Sequence, residues 1–428
     1  MSKTGTENLS GNVIKGRRCQ VCTGCGLCPG VRPASLPQGI RILTKGGLDT
    51  EVLSLANKDG IRLIATDIGT TTIAMELCEE DGSARERYVT VNPQTQVARD
   101  VISRIEAART PAVRQKMQEM VKSALTEGTE RFLKCLKPGE RPCMIIAANT
   151  TMSYLLMGWD PRELGEAPFA ARHLGGASFM LEASGERVPC ILLPGFSAFV
   201  GGDLYAGIAA CSMDQAKELT LLVDLGTNGE ILLGNRDGIL GTATAAGPAF
   251  EGGASSGIFG ADLLRCLATL RSLGYVDETG LLAEPYFSKG IRIGNILMTQ
   301  DTIRALQMAK SAVSVGIEIL LEQSGHAVEE IGRVVLAGGF GYFLNPADAV
   351  AVGLLPEALL EKTVSGGNTA LAGAKKLGGA LLKKGWPSPS ESEGSPLEGL
   401  YHAKIINLAM EEQFRDKYFA SMALSPKR

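Results

Sequence analysis

Hydrophobic positions along this chain fall into two similar series. The first opens with "IRLIATDIG" (residues 61–69), an apolar run of strand length that ends in Asp-x-Gly. "TTTIAMELCEE" reads as a second strand, "DGS" as a hairpin turn and "ARERYVTV" as a third strand. A helix is expected over roughly Thr95 to Ala108. Another starts near Pro111, where Val113, Met117, Met120, Val121, Ala124 and Leu125 recur at helical spacing. "PCMIIAAN" is then a buried strand and "TTMSYLLMG" opens a further helix.

The second series repeats the order. "LTLLVDLG" again ends an apolar strand in Asp-x-Gly, and "TNGEILLG", "NRDG" and "ILGTATAA" read as strand, turn and strand. A glycine-rich excursion leads to a helix from about Asp301 to Gln323, and "GRVVLAGGFG" is a strand ending in glycines. A distant internal duplication explains both series most economically. Residues 386–399 read as a solvent loop, with "YHAKIINLAM" and "EEQFRDKYFASMAL" supplying a last strand and helix. Ahead of residue 61, residues 1–18 read as a disordered lead. Residues 31–60 read as a Pro- and Gly-rich tether with two short strands at most. The division expected is 1–45 for the N-terminal segment, 46–213 for the first half and 214–428 for the second.

Composition narrows the function. With 428 residues the chain can bury two or three cores, and its net charge of −3 and lack of a long basic run argue against nucleic acid as a partner. No apolar run approaches the roughly 20 residues that span a bilayer, and the first residues lack an apolar signal core. A cytoplasmic setting follows as the expectation, in which cysteines serve as thiolates or metal ligands rather than disulfides. The three histidines, His173, His326 and His402, stand alone in sequence and are not expected to be catalytic. Cys78, Cys135, Cys143, Cys190, Cys211 and Cys266 lie among apolar neighbours and read as buried thiols.

The candidate chemistry sits in the two strand ends, "DIGTTT" (residues 67–72) and "DLGTNGE" (residues 224–230). A hairpin tip with glycine brings backbone N–H groups close to an anion, and neighbouring Thr hydroxyls add donors. An Asp at the strand end can hold Mg²⁺ through water or orient an attacking water. One such tip is a common turn; two in duplicated halves suggest phosphates clamped between facing domains. "LAGGFG" (residues 336–341) adds bare backbone against which a flat adenosine could lie. Neither a P-loop nor a strand-borne G-x-G-x-x-G occurs.

In this order, the motifs resemble those of the acetate and sugar kinase, heat-shock chaperone and actin superfamily. Within it the chain looks most like the ATPase domain of the reductive activators of corrinoid proteins. "NPQTQVARDVISRI" (92–105), "NTTMSYLLMGWDP" (149–161), "LVDLGTNGEILL" (222–233), "AAGPAFEGG" (245–253), "MTQDTIRALQMAKSAV" (298–313), "LAGGFGYFLN" (336–345) and "GNTALAGA" (367–374) carry that likeness. The resemblance implies an α/β protein of two ribonuclease-H-like halves, an actin-like ATPase fold, behind a short N-terminal cysteine-rich cluster segment. It implies ATP hydrolysis, with Mg²⁺, coupled to one-electron transfer onto a metalloprotein partner such as a corrinoid protein. Carried over by position, Asp67 and Asp224 serve Mg²⁺ and the hydrolytic water; Gly69, Thr70, Thr71, Gly226, Thr227 and Asn228 hold phosphates; and Gly338, Gly339 and Gly341 frame adenosine. Glu230 and Glu251 are candidates for a base or a ribose contact, or are ordinary carboxylates, and Asp203 in "GGDL" either lines the cleft or caps a turn. One departure stands out: corrinoid activators carry a longer N-terminal region, whereas sixty residues precede residue 61 here.

"CQVCTGCGLCPG" (residues 19–30) places Cys19, Cys22, Cys25 and Cys28 at every third position with a proline after the last. The run is one residue shorter than the bacterial ferredoxin pattern and is read as a [4Fe–4S] ligand set, with a structural Cys₄ zinc knuckle as the main alternative. Four ligands within ten residues crowd one cubane, so a subset of them, or two subunits of a homodimer, could share it. An electron donor such as ferredoxin would complete the redox chain. The rival reading is a small-molecule kinase of the same fold with structural zinc; a chaperone-like nucleotide switch is a third.

Overall fold

The computed structural model describes residues 60–226, 228–250, 260–386 and 394–426. The expected cysteine ligands Cys19, Cys22, Cys25 and Cys28, the tether, Thr227 and Glu251 lie outside these residues.

The first half runs β1 (Ile61–Ile68), β2 (Thr72–Cys78), β3 (Ala84–Val91), α1 (Val101–Ala107), α2 (Pro111–Leu133), β4 (Arg141–Ala148), α3 (Thr150–Met157), α4 (Arg162–Gly165), β5 (Ala177–Ala183), β6 (Glu186–Leu192) and α5 (Gly202–Cys211). The second runs β7 (Leu219–Leu225), β8 (Gly229–Asn235), β9 (Gly238–Thr244), α6 (Gly260–Ser272), β10 (Ile291–Ile293), β11 (Ile296–Met298), α7 (Gln300–Ser324), β12 (Ile331–Ala337), α8 (Gly338–Gly341), α9 (Pro346–Ala351), β13 (Thr363–Gly367), α10 (Thr369–Lys384), β14 (Lys404–Ile406) and α11 (Phe414–Ala420).

The expected duplication is present in the topology. The first sheet has the order β3-β2-β1-β4-β6-β5 and the second β13-β12-β7-β8-β9-β14. In each, an antiparallel meander (β1–β3 or β7–β9) is extended by two parallel strands. β5 and β14 are later additions at opposite edges. The central strands are apolar on both faces because both faces are covered. Along β1, Ile64 and Ile68 face a layer with Met117, Val121 and Leu125 of α2, whereas Leu63 and Ala65 face Leu371 and Leu377 of α10.

Two helices join the halves. α5 turns Tyr205, Ala206 and Ala209 to the first sheet's core and Leu204, Ile208 and Cys211 to the second's. α10 comes from the second half but lies on the first sheet, where Lys375 and Arg87 both pair at 2.7 Å with the buried Glu76 of β2. The two helices cross so closely that a Cβ on Gly373 would lie 1.8 Å from the Ala206 carbonyl oxygen.

Several elements differ from the sequence reading. The helix expected over 95–108 is split into a 3-10 turn (Pro93–Gln96) and α1, because Asp100 caps α1 through the Ser103 N–H at 2.8 Å. The segment expected as a solvent loop is, over 394–399, packed down: Ser395 and Leu397 are buried and the Tyr205 hydroxyl donates to the Leu397 carbonyl. Of the six outlying cysteines, five are buried and Cys135 is half-buried. Among the described residues, no helix is long and apolar enough to cross a membrane.

The helix crossing generates a test. Gly373→Ala should destabilise the protein by about 2–3 kcal/mol, because the clash is with backbone that cannot rotate away and outweighs the roughly 1 kcal/mol gained in helix propensity. Gly378→Ala, whose Cβ would meet the Leu63 side chain at 2.6 Å, should cost less, since that side chain can move. Urea-unfolding midpoints of the two variants check this; equal midpoints would show that the crossing is not tight.

Candidate functional site

The ends of β1 and β7 lie close enough for the Asp67 and Asp224 carboxylates to feel each other's charge. Asp67, the penultimate residue of β1, accepts a 2.7 Å hydrogen bond from Asn368 Nδ2, so the second half's α10 cap reaches the first half's strand end. Asn368 also caps α10 by accepting from the Leu371 N–H at 2.7 Å. Asp224 occupies the same position on β7, with Thr369 of α10 beside it.

Burial raises Asp67 from its ordinary 3.8 to about 7, against the opposing Asn368 hydrogen bond, and the nearby Asp203 charge adds to the rise. Burial likewise lifts Asp224 to about 7, helped by the Asp203 and Asp67 charges, while the Thr369 hydroxyl pulls it back without a well-formed hydrogen bond. Asp203, at the start of α5, rises to about 6 by burial despite backbone donors from Leu204 and Gly201. Glu230 pairs in register with Asp224 on the β7–β8 hairpin, and burial together with Asp203 and Asp224 pushes its carboxyl well above the usual range. Asp67, Asp203, Asp224 and Glu230 thus share one field. The sequence left Asp203 between a cleft and a turn role; the structure gives it both, at a helix start and among the acids.

The first hairpin tip is braced from behind. Gly69 N donates to the Thr72 carbonyl at 2.8 Å, closing the turn. Asn92 Nδ2 donates to the Gly69 carbonyl at 2.8 Å, Asn149 Nδ2 to the Thr70 hydroxyl oxygen at 3.1 Å, and Arg104 Nη2 to the Thr70 carbonyl at 2.6 Å. Asn92 N also donates to the Thr71 carbonyl at 2.9 Å. None of Asn92, Asn149 and Arg104 was singled out as a site residue from sequence; the signal available was their place in the family-like segments 92–105 and 149–161.

The second tip is built on bare backbone. Gly226 N donates to the Asn228 carbonyl at 2.9 Å, and a Cβ on Gly226 or Gly339 would meet nothing within 4 Å. Gly338 has φ +79°, and a Cβ there would lie 2.3 Å from Asp224 Oδ1, so only glycine lets α8 approach that carboxylate. Gly341 is different: it is buried, 3.7 Å from the Leu225 and Leu336 side chains at its would-be Cβ, and packs α8 onto β7 and β12. Phe340 turns inward and stacks on Phe250 with centroids 4.3 Å apart.

Open backbone at Gly226 and Gly339, hydroxyls at Thr70 and Thr71, and four acids are groups of the kind that suit a polyphosphate with its divalent cation. Among the described residues no three His, Cys, Asp or Glu side chains converge tightly enough to hold a metal ion.

The raised carboxyls fix a sign for pH. Their protonated forms are favoured by folding, so the stability they contribute is complete below about pH 4 and is lost as pH climbs through about 7. In metal-free buffer the melting temperature should fall between pH 5 and pH 8. Asp224→Asn should flatten the fall, by on the order of 1–2 kcal/mol at pH 8 once solvent reaching the cleft is allowed for. Thermal melts across that range decide it; parallel curves would mean the acids do not share a field.

Comparison with known proteins agrees with this geometry. Residues 63–216 match the model of the RACo middle region, and residues 218–262 and 254–428 match the C-terminal domain of RACo, the ASKHA domain. The chain is 28% identical over 380 residues to the corrinoid activation enzyme RamQ of Eubacterium limosum, covering 73% of this chain and 63% of that protein. It also resembles the solved structure of a reductive activator for a corrinoid, iron-sulfur protein, with TM-score 0.70 and 26% identity over 87% of this chain and 67% of that one. The chain therefore spans about two thirds of the length of these relatives. Two actin-like halves and the matches along both of them identify the chain as a member of the RACo family.

Proposed function

We propose that this protein is an ATP-dependent reductive activator, which hydrolyses ATP between its halves and couples that to one-electron reduction of a corrinoid-type metalloprotein. The observation that carries the reading is the convergence of Asp67, Asp203, Asp224 and Glu230 from both halves beside two glycine tips. Likeness to a corrinoid activation enzyme and to a reductive activator supports the choice of partner.

In this reading residues 69–71 and 226–228 hold the phosphates through their hydroxyls and the N–H groups left over from the turn hydrogen bonds of Gly69 and Gly226, and Gly338 and Gly339 leave room for the nucleoside. Asp67 and Asp224 would hold Mg²⁺, which would supply neutralisation of charge on the phosphates. Asp203 then is the carboxylate free to align the attacking water and take its proton, as its raised value of about 6 lies near neutral pH. The water oxygen attacks the γ-phosphorus, the bond to the bridging oxygen breaks, and the proton leaves through Asp203 to solvent. Glu230, whose carboxyl burial pushes up beside Asp203 and Asp224, is a further candidate for the base or for a ribose contact. Cys19, Cys22, Cys25 and Cys28 are read as ligands of a [4Fe–4S] cluster, which supplies one-electron chemistry and is recharged by a donor such as ferredoxin. A cluster shared between two chains would make the protein a homodimer.

Three measurements test this. Asp224→Ala should abolish ATP hydrolysis; full activity in that variant removes the site assignment. Replacing Cys22 and Cys25 by Ser should leave nucleotide affinity unchanged and stop reduction of a corrinoid partner, and continued reduction would rule out the cysteines as carriers. Anaerobic, dithionite-reduced protein should give a [4Fe–4S] paramagnetic resonance signal with about four irons per chain or per dimer. A silent spectrum with stoichiometric zinc would favour a small-molecule kinase of the same fold.

A further inference from the structure

Arg104 of α1 is fully buried, yet among the described residues no carboxylate pairs with it. Its guanidinium donates to neutral groups only: the Thr70 carbonyl at 2.6 Å, the Ala98 carbonyl at 3.0 Å, Gln94 Oε1 at 3.3 Å and the Met152 sulfur at 3.1 Å. The acid nearest in sequence, Asp100, spends its oxygens on the Ser103 N–H at 2.8 Å and hydroxyl at 2.7 Å. Burial accordingly pulls Arg104 down to about 10, with Asp100 opposing only weakly. A buried cation without a counter-ion is unfavourable, and natural proteins keep one where an anion arrives to compensate it. The carbonyl that Arg104 grips belongs to Thr70, in the β1–β2 hairpin tip that follows Asp67.

We propose that Arg104 is a positioning residue whose buried charge is balanced by the phosphates of a nucleoside polyphosphate bound at residues 69–71. The guanidinium acts through the Thr70 peptide: it fixes the carbonyl, which aims the following N–H, and it adds positive potential behind the tip in a region of low dielectric. A neutral donor at the same place would hold the backbone but not attract the anion. This inference rests on the nucleotide reading of the cleft given above, and concerns how the first half recognises polyphosphate rather than which residue performs hydrolysis.

Charge and scaffolding are separated by two variants and two ligands. Arg104→Gln keeps a donor toward Thr70 without the charge, and Arg104→Lys keeps the charge without the fork. Calorimetric titration of wild type and both variants with Mg-ATP and with adenosine gives the readout. The expected result is a Kd for ATP raised tenfold or more in R104Q and only a few-fold in R104K. Adenosine affinity should stay within twofold of wild type in both, which also shows that the variants are folded. If ATP and adenosine weaken in the same proportion, Arg104 is only a structural support and the inference is wrong. It is equally wrong if R104Q binds ATP as wild type does, or if R104K loses as much ATP affinity as R104Q. Wild-type protein that binds neither ligand would instead sink the nucleotide reading itself, and this inference with it.

Discussion

Like charges forced together out of bulk water set the terms for the rest of this molecule. Asp67, Asp203 and Asp224 come from the ends of three separate elements, β1, α5 and β7, and each carries a raised proton affinity that burial explains first and the other acids second. Left alone, such a cluster pushes the two halves apart or takes up protons. It persists because the strands behind it are pinned by cores on both faces, far larger in apolar area than the cluster is in charge. A cation and an anion brought together between the halves would satisfy the cluster better than water does, so ligand binding and closure of the halves are favoured by the same term.

The connection between the halves has little freedom of its own. α5 is shared by both sheets, and α10 returns from the second half to lie on the first, locked there by the Lys375–Glu76–Arg87 group. With Gly373 against the Ala206 backbone, the pair cannot slide without breaking that contact. Both helices begin at the acid cluster, α5 with Asp203 and α10 with Asn368 and Thr369. A change in charge at the cleft therefore acts directly on the ends of the two elements that set the angle between the halves.

Much of this was legible in the chain. The apolar runs 61–68 and 219–225, each closing in Asp-x-Gly, revealed β1 and β7, the duplication and two of the acids, because a doubly covered strand leaves a continuous apolar record. Gly338 was legible as bare backbone, though not its approach to Asp224, which depends on pairing between strands distant in sequence. The break before α1 was missed although Asp100 and Ser103 form a cap signature, since apolar periodicity runs across it. Residues 394–399 have a loop's composition, and only the Tyr205 hydroxyl and the buried Leu397, contacts across the fold, hold them in place. Arg104 drew no reading of its own; it bonds Met152 and Gln94 in the core, contacts that no local pattern records.

The two halves share a topology but have come to treat their hairpin tips differently. The first tip is backed by polar side chains, with Asn92, Asn149 and Arg104 each fixing a named group of residues 69–71. The second is backed by close packing: Gly338 against Asp224, and Phe340 stacked flat on Phe250 beneath α8. Polar backing with a buried cation suits an anion, whose orientation depends on donors; apolar backing beneath open glycines suits a flat, uncharged ring, whose orientation depends on shape. Under the proposed reading, the first tip's polar backing orients the phosphates that it shares with residues 226–228, and the open glycines of α8 leave room for the nucleoside. The duplication supplied a symmetric frame, and the residues behind each tip, rather than those at it, give the frame a direction.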